Sequence, residues 1–580
     1  MFDLLVSIFI LVPFGIAGMN QPGSKKISVI APTCFVISPI PLGVLMAHQD
    51  ILWTSWNSRL LWASGLITCV FIAWPAKVAP IQWLDNLRGI GLHLALVVGS
   101  VIPVSFPYFS NRFIGHGAPF SNPNNDLAIF IISGDNFQHR GFAEFGRIVS
   151  YQAGALANFE VAGAASWIAW LSRLTGLPIW RSTNVAMLLI IAVTAILLYH
   201  ILLLFISSRT VSMSAALLAM WLPFSRLAQL NYFLSQAVSR LCLVLAIYGV
   251  ILIWKRHRIG AVAVFVATIT SLVTYPAGSV SALIVLLTVG FALAISDLTL
   301  TRSTKGQLQP IVLLLAPLVG GIVIVKGRWT VIWGNINWYS KPGVTGWSMS
   351  TRDFSTWFGI PNAAQGFQFQ LIAWLILAVT VGSCVYLVVH SLRHRSHEVS
   401  AVMILAVILF SYLVLSVKIG SGTYQSWKFL VTAQPLILVF GFIPVYQAMK
   451  YVSQPFISTP KVVFGIPVLL MIGLLSYNGY QSRLTYKDNY QVPTMELEQA
   501  AKSLELRQQP NLSIQLNPYL ETMIAPVILD IHDAVYATDT YLGPATGNDA
   551  VCTLKRKTGS PNEISVSQNL VIAPAAACRK

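Results

Sequence analysis

Charge is the scarcest thing in this chain. Of its 580 residues only 10% are charged, against 55% apolar, and the mean hydropathy is +0.69. A soluble domain carries about 25% charged residues, so this composition excludes a water-soluble enzyme. It equally excludes a disordered or collagen-like chain. Acids are scarcest: there are 20 Asp and Glu, and ten of them fall from Asp488 onward. The net charge of +17 follows from that shortage. No Lys/Arg-rich window tracks a nucleic-acid backbone, so no nucleic acid is expected as partner. CxxC, HExxH and His-Cys clusters are missing, which argues against a zinc or other metal site. A glycine-rich nucleotide fingerprint is missing too, and no cofactor is expected. Long alternating strands are absent, which argues against a membrane barrel.

What is present is a series of apolar runs of roughly 17 to 23 residues, the length that crosses about 30 Å of hydrocarbon. About fourteen such spans can be read, from 3–19 to 462–478. The expected fold is therefore a membrane all-α polytopic bundle over residues 1–478, followed by a soluble tail, 479–580. The first run lacks a basic leader and a cleavage site, so it reads as a span rather than a signal peptide. Short basic loops, such as Lys25-Lys26, Lys255 to Arg258, Arg393 with Arg395, and Lys450 with Lys461, orient the spans with those loops in the cytoplasm. The large loops 108–182 and 326–368, the short loop 417–428 and the tail then lie outside. The expected location is a bacterial inner membrane, in contact with its lipids, with an extracytoplasmic C-terminal domain.

Residues 155–174 (ALANFEVAGAASWIAWLSRL) break this bookkeeping, because a span there would invert every later loop. Phe159, Trp167, Trp170, Leu171 and Leu174 recur at helical spacing, which predicts an amphipathic helix lying on the outer membrane face. The alternative is an ordinary span with two neighbours miscounted.

Six cysteines are present. Cys34, Cys69, Cys242 and Cys384 sit in apolar spans and read as packed hydrophobes. Cys552 and Cys578 share the tail and suggest a disulfide in an oxidising compartment, with two free thiols as the other reading. In the tail, 513–517 and 534–538 read as strands and 518–530 as a helix, one or two βαβ-like units.

The scarcity of acids shortens the search for chemistry. Asp126 and Asp135 fall in one outer stretch, PFSNPNNDLAIFIISGDNFQHRGFAEFGR (119–147). Pro123, Asn124 and Asn125 predict a turn and cap, 126–133 a short helix, and Gly134 its end. Asp126 could simply favour the helix dipole, and Asp135 and His139 could be plain loop residues. Their crowding at the membrane surface suits general-base work on a hydroxyl acceptor instead. Outer cations that could meet a phosphate are Arg226 and Arg240, then Arg352, then Lys418 and Lys428 around a Gly-Ser-Gly turn with Tyr424. Snorkelling is the plainer reading of these cations, Arg240 above all. The aromatics of 326–368, including Trp338, Tyr339 and Trp357, suit an interfacial belt.

With its many spans, an acid just after a span (NDLAIFIISGD…GF), a following interfacial helix and an outer tail, the chain resembles the GT-C superfamily of lipid-linked-sugar glycosyltransferases. Two departures stand: three spans precede the acidic loop where many members have one, and no paired-acid or Asp-x-Asp motif is present. The resemblance implies a polyprenyl-phosphate-linked sugar donor and an inverting transfer to a glycan, glycolipid or protein acceptor. It implies Asp126 or Asp135 as base, with His139 beside them. Lys418, Tyr424, Lys428, Arg226 and Arg352 would hold the donor phosphate, and Trp338, Tyr339 and Trp357 would stack on sugars. Two alternatives remain: an O-antigen-type polymerase or ligase working through Arg112, His116, His139 and Arg140, and a lipid or glycan flippase. Spans nearly free of central charge speak against ion-coupled transport.

Overall fold

The computed structural model describes residues 6–7, 9–11, 29–47, 49–73, 91–101, 120–121, 126–139, 162–221, 234–301, 308–325, 367–394, 399–419, 424–453, 490–491, 494–503, 506, 512–516, 525, 528–529, 535–536 and 552–573. These residues are mostly helical. The helices are α1 (Ile30–Ile37), α2 (Pro39–Ala47), α3 (Ser55–Ala73), α4 (Gly91–Val101), α5 (Asp126–His139), α6 (Ala162–Thr175), α7 (Ile179–Leu203) and α8 (Arg209–Trp221). They continue with α9 (Leu234–Trp254), α10 (Ile259–Thr274), α11 (Pro276–Thr301), α12 (Leu308–Ile324), α13 (Phe367–His394), α14 (Val399–Ile419), α15 (Tyr424–Ser453) and α16 (Thr494–Ala500).

Among the described residues, five helices are long and apolar enough to cross a membrane: Ile30–Ala47, Ile179–Leu203, Leu234–Trp254, Trp374–Arg393 and Thr432–Tyr451. Five shorter apolar helices accompany them. Helices α7 and α9 form the centre and are buried almost throughout. Helix α13 is at the periphery and leaves Leu371, Trp374, Leu375 and Val385 exposed. A water-soluble protein does not leave so continuous an apolar face uncovered, and these helices suggest a membrane protein. Antiparallel α9 and α10 approach most closely where two glycines meet. A Cβ on Gly249 would lie 2.7 Å from the Gly260 carbonyl oxygen, and small residues are what allow such contact between apolar helices.

Specific contacts sort the helix ends into two groups. At one end, Gly163 of α6 abuts Thr274 of α10, Gly134 of α5 abuts Ile179 of α7, and the Trp53 N–H donates to the Phe137 carbonyl (3.3 Å). At the other end, His93 Nε2 is 3.0 Å from His200 Nε2, Gln447 Nε2 donates to the Phe205 carbonyl (3.3 Å), and His390 packs on Tyr451. Helix α10 runs from the turn at Lys255 to Arg258 up to Thr274, so that basic turn belongs with the second end. Arg209, Arg393 and Lys450 lie there as well, whereas Asp50 and Asp135 lie at the first. Of the basic connections read from the sequence, those at Lys255 to Arg258, Arg393 and Lys450 fall within the described residues and share the second end, while Arg173 and Arg181 lie at the first.

The tail carries a five-stranded sheet of order β4-β3-β5-β7-β6. Its strands are β3 (Leu512–Gln515), β4 (Val535–Tyr536), β5 (Cys552–Arg556), β6 (Ile564–Ser565) and β7 (Leu570–Ala573). β3 pairs in parallel with β4 and β5, as βαβ units require, and β5 and β6 each pair antiparallel with β7. The two strands read from the sequence are there, slightly shorter. The β5–β7 hairpin was not anticipated. Of the predicted 518–530 helix only Ala525, Ile528 and Leu529 are described, and they are helical. Cys552 is disulfide-bonded, while Cys34, Cys69, Cys242 and Cys384 are free; Cys578 lies outside the described residues.

A two-stranded ladder links the tail to the rest. β1 (Phe120–Ser121) pairs antiparallel with β2 (Tyr490–Gln491), in the register Phe120↔Gln491. The tail therefore begins beside the segment that leads into α5.

Candidate functional site

The expected helix after Asp126 forms, but it does not stop at Gly134. It continues to His139. Gly134 is accommodated inside the helix because a second helix needs the space: a Cβ there would lie 3.2 Å from Ile179 Cδ1 and 3.3 Å from the Ala165 carbonyl oxygen. Helical continuation puts Asp135 and His139 one turn apart on the same face. His139 Nδ1 lies 3.3 Å from Asp135 Oδ1 and 3.0 Å from the Asp135 carbonyl oxygen. Both neighbours are acceptors, so Nδ1 carries the proton. The hydrogen bond that His139 Nδ1–H donates to Asp135 raises the pKa of His139, against burial and the nearby Arg173, which lower it.

Arg173 comes from α6. Its Nη2 donates to the Gln138 carbonyl (3.2 Å) and lies 3.3 Å from His139 Nε2. With the proton on Nδ1, Nε2 of the neutral ring accepts from the guanidinium. Arg173 Nε and Asn136 Nδ2 are buried without a hydrogen-bond partner among the described residues. Asp135 is 14% exposed and His139 40%, so the array opens to the outside at one edge. It is a carboxylate, an imidazole and a guanidinium in a row, with spare N–H donors beside them. That set can hold an anion and receive a proton.

Helix α6 corrects another expectation. It spans Ala162–Thr175 and does not lie on a surface: every residue from Ala162 to Ser172 is buried. Trp167 Nε1 donates to the Val36 carbonyl (2.9 Å), Trp170 Nε1 to the Ser58 carbonyl (3.3 Å), and Ser166 accepts from Trp53 Nε1 (3.0 Å). The small residues Gly163, Ala164, Ala165 and Ser166, which weaken the amphipathic pattern, are the surfaces against which other helices close. Arg173 is the one cation of this helix and the site residue that sequence reasoning passed over. Its signal was its place at the C-terminal turn, where a cation favours the helix dipole.

Arg240 corrects a third. It does not snorkel. It lies inside α9 at 1% exposure, among fully buried neighbours.

The remaining expected site residues are only partly visible. Asp126 opens α5, Lys418 lies in the last turn of α14, and Tyr424 and Lys428 lie in the first turns of α15; their side chains lie outside the description. The expected 417–428 loop is thus shorter than its sequence suggests, since helix continues to Ile419 and resumes at Tyr424. Arg226, Arg352, Trp338, Tyr339 and Trp357 lie outside the described residues, as do Arg112, His116 and Arg140. Among the described residues no group of three or more His, Cys, Asp or Glu could hold a metal ion. The chain matches no protein-family model and no curated protein.

Proposed function

We propose that this protein is an integral membrane glycosyltransferase of about fourteen spans, seated in a bacterial inner membrane with its tail outside, which takes a sugar from a polyprenyl-phosphate donor. The observation that carries the reading is the Asp135–His139–Arg173 array at the acid-bearing end of the bundle. The β1–β2 ladder adds to it, because it starts the soluble tail beside the same segment. The basic turns at the opposite end agree with a cytoplasmic placement of that end.

In this reading Asp135 is the base. The acceptor hydroxyl gives its proton to Asp135, its oxygen bonds to the anomeric carbon, and the bond from that carbon to the phosphate oxygen breaks. Polyprenyl phosphate leaves with the electron pair. His139 fixes the carboxylate through Nδ1–H, and the Arg173 guanidinium offsets the negative charge that develops on the phosphate. Attack from the face opposite the phosphate inverts the anomeric centre. Lys418, Lys428, Arg226 and Arg352 remain proposed phosphate ligands, with Trp338, Tyr339 and Trp357 as sugar platforms.

One observation favours a second reading. Arg173 and His139 are in direct contact, and a polymerase or ligase acting on lipid-linked glycans would use such an Arg–His pair in place of a carboxylate. The test is release of polyprenyl phosphate from a pool of polyprenyl-phosphate sugars by purified protein. Asp135→Asn is expected to abolish release with donor still bound, whereas Asp126→Asn keeps most of it. If Asp135→Asn is active and His139→Asn or Arg173→Gln is dead, the second reading replaces the first.

A further inference from the structure

The turn between α9 and α10 carries four consecutive basic residues that the mechanism above does not use. Lys255, Arg256, His257 and Arg258 are all exposed, at the second end of the bundle. The chain has no Asp or Glu between Glu160 and Asp297, so neither helix of this hairpin brings a carboxylate to its own turn. Two plain demands call for cations here. Orientation of the spans asks for basic charge on one side, and the dipole of α9 favours a cation near its last turn. Neither demand fixes the backbone conformation of the residue that carries the charge. Helix α9 ends in a Schellman motif: the His257 N–H donates to the Leu252 carbonyl (2.9 Å) and the Arg256 N–H to the Ile253 carbonyl (2.9 Å). The residue in its left-handed position is Arg256, at φ +66°. Glycine is the usual occupant, because a Cβ is penalised there. With Lys255 and Arg258 already supplying charge, an arginine at 256 costs the turn something that neither demand requires. On the other side of the turn, α10 has no acid in its first turn and no side-chain cap, so its first N–H groups add to the same positive potential.

Next to this turn the outer surface of the bundle is apolar. Arg258 and Val262 lie one turn apart on α10, and Val262 is exposed. The same side of α10 meets α12, since a Cβ on Gly320 would lie 3.4 Å from Phe265 and one on Gly321 3.0 Å from Thr268. Trp254, the last residue of α9, and Leu314 of α12 both close on Gly290 of α11, which sets the first turns of α12 beside the basic turn. Along its length α12 exposes Leu308, Val312, Leu315 and Val319, one per turn. A basic rim thus stands at the head of an apolar stripe that faces outward. A molecule with an anionic head and a hydrocarbon chain is complementary to that pair of surfaces, and it need not enter the bundle.

We infer that the α9–α10 turn binds the headgroup phosphate of an anionic phospholipid of the surrounding bilayer, with an acyl chain against the exposed stripe of α10 and α12. Arg256 and Arg258 offer guanidinium forks to the phosphate oxygens, and Lys255 adds a point charge. A zwitterionic headgroup brings its own cation into the same rim and is held less well. The inference rests on the membrane placement proposed above and not on the transferase reading, because this turn lies at the end of the bundle opposite the Asp135–His139–Arg173 array.

The test uses purified full-length protein in detergent, with phosphatidylglycerol, phosphatidylcholine and inorganic phosphate as probes. Bound lipid is counted by native mass spectrometry, and the shift in thermal unfolding is read in parallel. Phosphatidylglycerol is expected to raise the melting temperature and to bind about tenfold more tightly than phosphatidylcholine, a difference of about 1.4 kcal/mol, with a preference that shrinks as salt rises. Arg256→Gly is expected to lose most of that preference yet to melt, without lipid, no lower than the native protein, because glycine relieves the left-handed position. Arg258→Gln is expected to fold and to lose part of it. Lys450→Gln, which removes a cation at the same end but outside the turn, is expected to keep it. Equal binding of the two lipids, or an unchanged preference in both turn variants, overturns the site. A loss in Lys450→Gln as large as that in Arg258→Gln overturns it too, since diffuse charge would then suffice. Displacement of phosphatidylglycerol by inorganic phosphate overturns the lipid as occupant. If neither lipid binds and the protein stays monodisperse without detergent, the membrane placement falls with the site. If lipid binding depends on Arg256 and no sugar donor is ever turned over, the transferase reading falls and this site stands. Transfer without any lipid preference gives the reverse.

Discussion

Arg173 Nη2 on α6 lies 3.3 Å from Nε2 of His139 on α5, while Nδ1 of the same ring points at Asp135. The imidazole is thus held from both sides, by a carboxylate that favours its protonated form and a guanidinium that opposes it. The hydrogen bond with Asp135 wins, and the His139 pKa is raised. A group whose folded-state pKa is raised contributes stability below its unfolded pKa, near 6.5, and loses it as pH rises through the folded value. The Asp135–His139 pair within α5 is therefore expected to weaken towards alkaline pH, whereas the neutral ring keeps its Nε2 contact with Arg173 of α6. In Asp135→Asn the raising partner is gone, while burial and Arg173 remain. His139 should then titrate at lower pH than in the native protein, as histidine NMR of labelled protein would record. An unmoved titration would mean that Asp135 does not hold the ring in solution.

The burial of α6 gives a second expectation. Trp167 and Trp170 are 0% and 1% exposed, and their indole N–H groups answer carbonyls of α1 and α3. Truncating either to Ala should cost about 3–5 kcal/mol, the range for large aromatics in a packed interior. Trp167→Phe, which mainly removes the hydrogen bond to Val36, should cost about 1–3 kcal/mol because a buried carbonyl is left unsatisfied. Thermal unfolding in detergent orders the variants. A surface-lying helix would tolerate all three with little change, so near-native melting would return α6 to the membrane face.

That helix also marks the boundary of what was legible in the sequence. Long apolar runs announce helices whatever they pack against, so α7, α9 and α12 fall close to their expected limits. Alternation announced β3 and β4. Loop charge was legible as a grouping of helix ends, because Lys255 to Arg258, Arg393 and Lys450 gather at one end. Partnership was not legible. Trp167 on a membrane surface and Trp167 among helices have the same periodicity, and only the small residues around it distinguish the two. Gly134 reads locally as a stop, yet the approach of Ala165 and Ile179 makes it a contact point inside a helix. Arg240 reads as a snorkelling cation because depth is a tertiary property. At the site, Asp135 and His139 were legible as a pair at i, i+4, whereas Arg173 arrives from 34 residues away. The β5–β7 hairpin escaped because Lys555, Arg556 and Lys557 mask its alternation, although the buried Cys552 and Leu554 keep it.

The turn of that hairpin supports a third expectation. Glu563 accepts from the N–H groups of Thr558 (3.1 Å) and Gly559 (3.0 Å), from the Thr558 hydroxyl (2.5 Å), and pairs with Lys555 Nζ (3.2 Å). Gly559 has φ +83°, which lets the backbone turn its N–H onto the carboxylate. These bonds, those from Thr558 foremost, lower the Glu563 pKa from 4.5 to about 2. For a depressed carboxylate, stability is present above the unfolded pKa and is lost as pH falls through the folded one. Hairpin stability should therefore decline between about pH 4.5 and pH 2, and Glu563→Gln should remove that dependence while lowering stability at neutral pH. Hydrogen exchange of the β5–β7 amides, followed from pH 6 down to pH 3, reads the change strand by strand. A native protein and a Glu563→Gln variant with parallel pH profiles would mean that the carboxylate does not hold the turn, and that β5 and β7 rest on Leu554, Leu570 and Ile572 alone.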